Sequence, residues 1–181
     1  MKNFLTLLFF TLSLSALNAQ IQKGTVFLGG TVGFTSISVE GSSATLIELK
    51  PSVGYLLSNR FALGGNLDLS LVATDGDSYT TIALSPFARY YFNATGTARF
   101  FGQLNVGIQS ERAGGENLNS LKGGLAIGAD FFLNDKVAIE GSLGFARANY
   151  LDSETPLVND GYNTVGLNFG VIAFIARKEK Q

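Results

Sequence analysis

The sequence predicts an all-β protein: an eight-stranded antiparallel up-and-down transmembrane β-barrel preceded by a cleavable signal peptide. Apolar residues alternate with Gly, Ser, Thr, Asn and Gln in one segment after another, which is the period of a strand with two unlike faces. Charged residues make up only 15% of the 181 residues, where a soluble domain carries about a quarter. Yet after the leader no window holds the 18 or so uninterrupted apolar residues of a spanning helix. A chain this apolar, without helical spans, has a closed sheet as its remaining way across a bilayer. The expected organisation is a signal peptide over 1–19, a barrel over 20–176 and a polar periplasmic tail over 177–181.

The leader begins with Lys2, continues through the apolar stretch Phe4–Leu17 and reaches the small residue Ala19, the order of a secretory signal. Cleavage falls after Ala19 or earlier, after Ala16. The chain has no Cys and no His, so no disulfide framework staples the exported protein. Thirteen Lys and Arg against fourteen Asp and Glu give a net charge of −1. That balance leaves no electrostatic footprint for nucleic acid.

Strands are expected near 24–37, 44–57, 61–72, 80–92, 98–110, 120–133, 137–150 and 162–176. In the third, Phe61, Leu63, Leu67, Leu69 and Leu71 alternate with Ala62, Gly64, Asn66, Asp68 and Ser70. In the eighth, Val165, Leu167, Phe169 and Val171 alternate with Thr164, Gly166, Asn168 and Gly170. The small-polar face has too much Gly and Ala, and too little Lys and Glu, for a solvent surface. It suits a packed polar interior, with the apolar face turned to lipid.

An internal repeat supports the strand count. GYLLSNRFALGGNL (54–67) aligns with DFFLNDKVAIEGSL (130–143), an offset of 76 residues, and the Asn93–Thr97 turn lies about midway between. Hairpins therefore recur about every 38 residues, which gives four hairpins and eight strands. Connections at Ser58–Arg60, Asn93–Thr97 and Asn134–Lys136 read as tight turns. Those at Ser38–Ser43, Ala73–Tyr79, Glu111–Asn119 and Leu151–Gly161 read as longer loops, the asymmetry of periplasmic turns and external loops.

Aromatic residues crowd the tight turns. Tyr55, Phe61, Tyr90, Phe92, Phe100 and Phe131 share the lipid-facing parity and are expected to form an interfacial girdle. Tyr79, Phe145, Tyr150 and Tyr162 suggest a sparser girdle at the other end. Phe87, Tyr91, Phe101 and Phe132 have the opposite parity and should fill the lumen near the periplasmic mouth.

Seven ionisable residues fall on the inward parity: Glu48, Lys50, Asp68, Arg89, Lys122, Asp130 and Glu140, with charges summing to −1. Unpaired buried charges cost several kcal/mol each, so two clusters are expected. Lys50 should meet Asp68, with Glu48 near, and Arg89 should meet Asp130 and Glu140. At eight strands the interior is only wide enough for side chains to fill it. The network is therefore expected to be a structural plug, with a gate or a narrow ion path as the alternative.

No catalytic constellation is visible. Without His, neither a Ser-His-Asp nor a Cys-His arrangement can be built, and zinc lacks its usual ligands. Asp75-Gly-Asp77 supplies two carboxylates but not the spacing of a calcium loop. Gly29-Gly30-Thr31-Val32-Gly33 continues as a strand and opens no helix, so it is not a phosphate loop. No catalytic, metal-binding or cofactor-binding residue is expected.

The segments KGTVFLGGTVGF, LKPSVGYLLSNRFALGGNLDLS, LSPFARYYF, FFGQLNVG, FFLNDKVAIEGSLGF and NTVGLNFGV resemble the small outer-membrane β-barrel family of Gram-negative bacteria, the porin-like or outer membrane protein β-barrel domain. The resemblance spans nearly all of the chain after the leader. It implies an outer-membrane location and a monomer whose partners are the lipid bilayer and the outer-membrane insertion machinery. Such barrels usually end on an aromatic residue, whereas here Phe174 is followed by Ile175, Ala176 and RKEKQ. The expected role is structural or surface-interacting, non-enzymatic, with a closed polar lumen. Two alternatives stand beside it: a narrow porin-like channel for small solutes or ions, and a soluble periplasmic lipid-binding barrel.

Overall fold

A computed structural model describes residues 22–39, 42–73, 78–113, 116–151 and 161–175. These form eight strands: β1 (Val26–Val39), β2 (Ser42–Leu56), β3 (Phe61–Ala73), β4 (Ser78–Tyr91), β5 (Ala98–Ala113), β6 (Glu116–Phe132), β7 (Val137–Tyr150) and β8 (Gly161–Ile175). Each strand pairs antiparallel with its neighbour in sequence, and β8 pairs back onto β1 to close the barrel. The closing ladder runs from Val26↔Ile175 to Ser38↔Asn163, so the described sheet has no open edge to satisfy. The expected leader (1–19) and tail (177–181), and the Asp75-Gly-Asp77 segment, lie outside the described residues.

The alternation of the sequence becomes the two sides of the wall. Leu28 and Val32 on β1, Leu49 and Val53 on β2, Leu104, Val106 and Ile108 on β5 and Leu125 and Ile127 on β6 all face outward and are exposed. Residues of the opposite parity on these strands, Phe27, Thr31, Glu48, Gly107, Gln109 and Lys122, point inward and are buried. Leu104 is 65% exposed and Phe169 58%, whereas Arg99 and Asp130 are fully buried. A water-soluble barrel would have this polarity reversed.

The internal repeat is a repeat of turn chemistry. In the β2–β3 turn, the Ser58 Oγ accepts hydrogen bonds from the backbone N–H groups of Arg60 (3.3 Å) and Phe61 (3.0 Å). In the β6–β7 turn, the Asn134 Oδ1 accepts from Lys136 (2.8 Å) and Val137 (2.9 Å). Leu57 and Leu133 each donate a 2.9 Å backbone bond to the residue that starts the next strand. The β4–β5 turn is built differently. Asn93 donates its side-chain amide to the carbonyls of Thr95 (3.0 Å) and Ala98 (2.7 Å), while its Oδ1 accepts from Phe100 (2.9 Å). Gly96 adopts φ 114° there, a conformation other residues rarely take.

At the opposite end the structure shortens the expected loops, Ala73–Tyr79 among them, since Val72↔Tyr79 and Ala73↔Ser78 are ladder pairs. The Val39↔Ser42 pair carries the β1–β2 ladder through the expected Ser38–Ser43 loop. The Ala113↔Glu116 pair likewise carries β5 and β6 through the expected Glu111–Asn119 loop. Only residues 40–41 and 114–115 connect these strands. Polar and charged residues read as loop signals from sequence, but at the outer end of a long strand they are simply solvated strand positions.

Inward glycines make room for the lumen's rings. A Cβ on Gly54 would strike the Phe27 ring, one on Gly64 the Phe87 ring, and one on Gly128 the Phe101 ring. Gly64 also lies against the backbone of Val53 and Gly54, whereas a Cβ on the adjacent Gly65 meets nothing within 4 Å. Gly64→Ala is therefore expected to destabilise the barrel by about 1–3 kcal/mol through overpacking. Gly65→Ala should stay within about ±0.5 kcal/mol. Denaturant midpoints of the two variants, measured in the same detergent, test the pair.

Candidate functional site in the lumen

Four layers of side chains fill the barrel. Nearest the tight turns, Phe27, Leu56, Ala62, Phe87, Phe132, Ala138, Ile172 and Phe174 form an apolar cluster. Its rings pack Phe27 against Phe87 (6.1 Å) and Phe174 (5.7 Å), and Phe132 against Phe174 (5.2 Å). Phe87 and Phe132, with the buried Tyr91 and Phe101, take the lumenal places their parity implies. Phe27 and Phe174 join them, although sequence reading attached no lumenal role to either.

Arg89 on β4 roofs this cluster. Its Nη1 lies 2.7 Å from Glu140 and 3.7 Å from Asp130, and its Nε donates to the Gln103 Oε1 at 2.8 Å. The Tyr91 hydroxyl donates to Asp130 at 2.8 Å. The guanidinium also lies 3.9 Å from the Phe101 ring centroid and within 5.7 Å of those of Phe27 and Phe87. A planar cation that bonds at its edge and stacks on its face suits such a position better than an ammonium. The cluster expected of Arg89, Asp130 and Glu140 is the one the barrel assembles.

Above that layer the expected partners are exchanged. Lys50 and Asp68 lie opposite one another on β2 and β3 but do not pair. Lys50 bonds Glu48, two residues along its own strand, at 2.5 Å, and donates to the Asn168 Oδ1 at 3.2 Å. Asp68 instead takes Lys122 from β6, at 3.0 Å. Reading strands as neighbours on a flat sheet misses this contact. In a narrow closed barrel, long side chains from non-adjacent strands meet across the axis.

These residues line a polar cavity of about 90 Å³, together with Asn105 and Thr164. That is room for several ordered waters among polar partners. Sequence reading also missed Arg99. It shares the inward parity of Phe101 and Gln103, is fully buried, and lies 5.5 Å from the Phe132 ring centroid. It falls inside the expected strand 98–110, on the same parity as Phe101, but was not counted among the inward charges. With it, Lys50, Arg89, Arg99 and Lys122 balance Glu48, Asp68, Asp130 and Glu140, and Glu111, at the outer end of the lumen, leaves one negative charge over.

The outermost layer corrects a further expectation. Tyr150 and Tyr162 were expected on the outer girdle but point inward, where both hydroxyls donate to Glu111 and Tyr162 also bonds Gln109. Their rings lie 6.1 Å apart. An alternation count anchored on Ala148 and Thr164 puts both tyrosines inside. Of the other two residues in that expectation, Phe145 is exposed on the wall, and the side chain of Tyr79 lies outside the described residues.

On the outside, beside the tight turns, Tyr55, Tyr90, Phe92, Phe100 and Phe131 are exposed and Phe61 half-buried. Tyr90 and Phe92 meet edge to face at 5.8 Å.

No protein-family model and no curated protein matches the sequence. Solved structures do resemble the fold. Neisserial surface protein A superposes with a TM-score of 0.68 at 14% identity, over 83% of this chain and 99% of that one. Ail, the attachment invasion locus protein of Yersinia pestis, solved in complex with the heparin analogue sucrose octasulfate, gives 0.60 at 10% identity, over 84% and 99%. The outer membrane enzyme PagL gives 0.56 at 15% identity, over 80% and 97%. Strand order, closure and likeness agree: this chain has the fold of the small eight-stranded outer-membrane β-barrels.

Proposed function

We propose that this chain is an integral outer-membrane protein, non-enzymatic, with a sealed polar lumen and a structural or surface-interaction role. The observation that carries the reading is the inverted wall: exposed Leu, Val, Ile and Phe outside, paired charges within. In water so continuous an apolar surface would drive association; in acyl chains it is the solvated side. The rings of Tyr55, Phe61, Tyr90, Phe92, Phe100 and Phe131 then lie at one headgroup layer as an interfacial girdle. The lumenal ion pairs act as a structural plug, since the apolar cluster beneath Arg89 leaves no polar route to the turn end.

PagL is an outer-membrane enzyme on the same fold, so the fold is compatible with catalysis. The non-enzymatic reading rests on the chain's own chemistry, with no His or Cys and every buried carboxylate of the lumen held in its network. Ail's attachment name and its polyanion complex support surface interaction as a use of such a barrel. Here the parts available for it are the long outer ends of β5 and β6, with Arg112 exposed.

Membrane fractionation and heat-modifiable migration of detergent-extracted protein test the location. A soluble, heat-insensitive species would overturn it. In planar bilayers the wild type should show no single-channel steps, while Phe27→Ala combined with Phe174→Ala should introduce leak by emptying the plug. Discrete ion conductance by the wild type would replace the sealed lumen with the narrow-channel alternative.

A further inference from the structure

The wall has a groove on its lipid-facing side. One row of register partners crosses four strands through Phe100↔Ala129, Ala129↔Gly141 and Gly141↔Phe169. Two large rings thus flank two of the smallest residues. Two residues further from the tight turns, Ile127 and Leu143 pair to form the upper lip. The depression is shallow and open on its outer side, offers about 540 Å³, and is lined by these side chains with Phe92 and Leu167 at its margins. The Phe169 ring leans on its floor, with 3.7 Å between its edge and a Cβ position on Gly141.

The floor strands β6 and β7 lead down to the tight turn that carries Lys136, which is exposed. From Ala129 to Leu133 is four residues, about 13 Å at ~3.3 Å per residue. One leaflet of the hydrocarbon core is about 15 Å deep, half of its ~30 Å. With strands tilted by about 45° that stretch descends only ~9 Å, so a headgroup level with the turn runs the headgroup-proximal part of its acyl chains past Phe100 and through the groove.

We propose that the β5–β8 groove is a specific site for one glycerophospholipid of the periplasmic leaflet. An acyl chain lies between Phe100 and Phe169 over Ala129 and Gly141, and Lys136 pairs with the phosphate. The proposal rests on the membrane location proposed above. The apolar floor selects a hydrocarbon chain, and Lys136, a cation at its lower end, selects an anionic head. Asp135, also exposed in that turn, opposes the phosphate and sets a limit on affinity.

Native mass spectrometry of the full chain, folded in detergent and supplied with dioleoyl phosphatidylglycerol, tests the site against dioleoylglycerol, which has the chains without the phosphate. One phosphatidylglycerol per barrel should be retained, at least tenfold over dioleoylglycerol. Gly141→Leu fills the groove from the outside, where its Cβ meets only ordinary contacts, and should abolish retention. Lys136→Gln should reduce it about tenfold, and Asp135→Asn should raise it severalfold. Each variant's heat-modifiable migration reports separately that a membrane-competent barrel has formed. Normal migration with equal retention of both lipids, or retention unchanged by Gly141→Leu and Lys136→Gln, overturns the site and leaves the location intact. Dimers abolished by Gly141→Leu would overturn it in favour of a second copy in the groove. Loss of heat-modifiable behaviour in the wild type would instead strike the location.

Discussion

Arg89→Ala should cost about 3–5 kcal/mol, the largest single-residue loss expected in the lumen. Removing one partner of a buried ion pair leaves uncompensated charge behind, and here one guanidinium serves two carboxylates. Asp130 is fully buried and cannot turn to water when Arg89 is truncated, and Glu140, nearly buried, keeps only the small lumenal cavity it lines. Gln103 loses a donor as well, and the Phe27, Phe87 and Phe101 rings lose the cation that stacks among them. The prediction is checked by the denaturant midpoint of the detergent-folded barrel and by the temperature at which the folded band disappears. Combining Arg89→Ala with Glu140→Gln should recover part of the loss, because the neutral amide removes one stranded charge. If Arg89→Ala is silent in both measurements, the plug is not what holds the lumen together.

Leu104→Arg addresses the opposite side of the same strand. Leu104 is 65% exposed and pairs with Leu125, which is also exposed, midway between the β5 turn and the outer end. On a soluble surface such a change would fall within about ±0.5 kcal/mol. At the midplane of a bilayer it costs about 2–4 kcal/mol. Folding into vesicles of defined thickness should show that penalty, shrinking as the same substitution is moved to Phe131, near the girdle. A flat profile across those positions would remove the membrane reading.

The eight strands were legible because a membrane barrel wall writes its two environments into alternate residues. Every expected strand is present, with ends moved by at most four residues. The tight turns were legible for a related reason: Ser58 and Asn134, 76 residues apart, perform the same capping of the following backbone. The outer ends were misread at Ser38–Ser43 and Glu111–Asn119, since polarity marks exposure to water and does not separate a loop from a protruding strand. Tyr150 and Tyr162 were misplaced because an aromatic residue near a strand end suits either a girdle or a lumen cap. Only its phase along the strand distinguishes them.

Which residues face inward was therefore decided by the sequence alone, since parity is a local property of the chain. Which of them meet was decided by closure. Arg89 could be assigned to Asp130 and Glu140 from their common height, but Asp68 reaches Lys122 and leaves Lys50 to Glu48 because a narrow barrel brings distant strands within a side chain's length. The same holds outside, where Phe100, Ala129, Gly141 and Phe169 are unremarkable in sequence and become a groove only once register aligns them. Pairing energies depend on distance in space, and that distance exists only after the sheet has closed on itself.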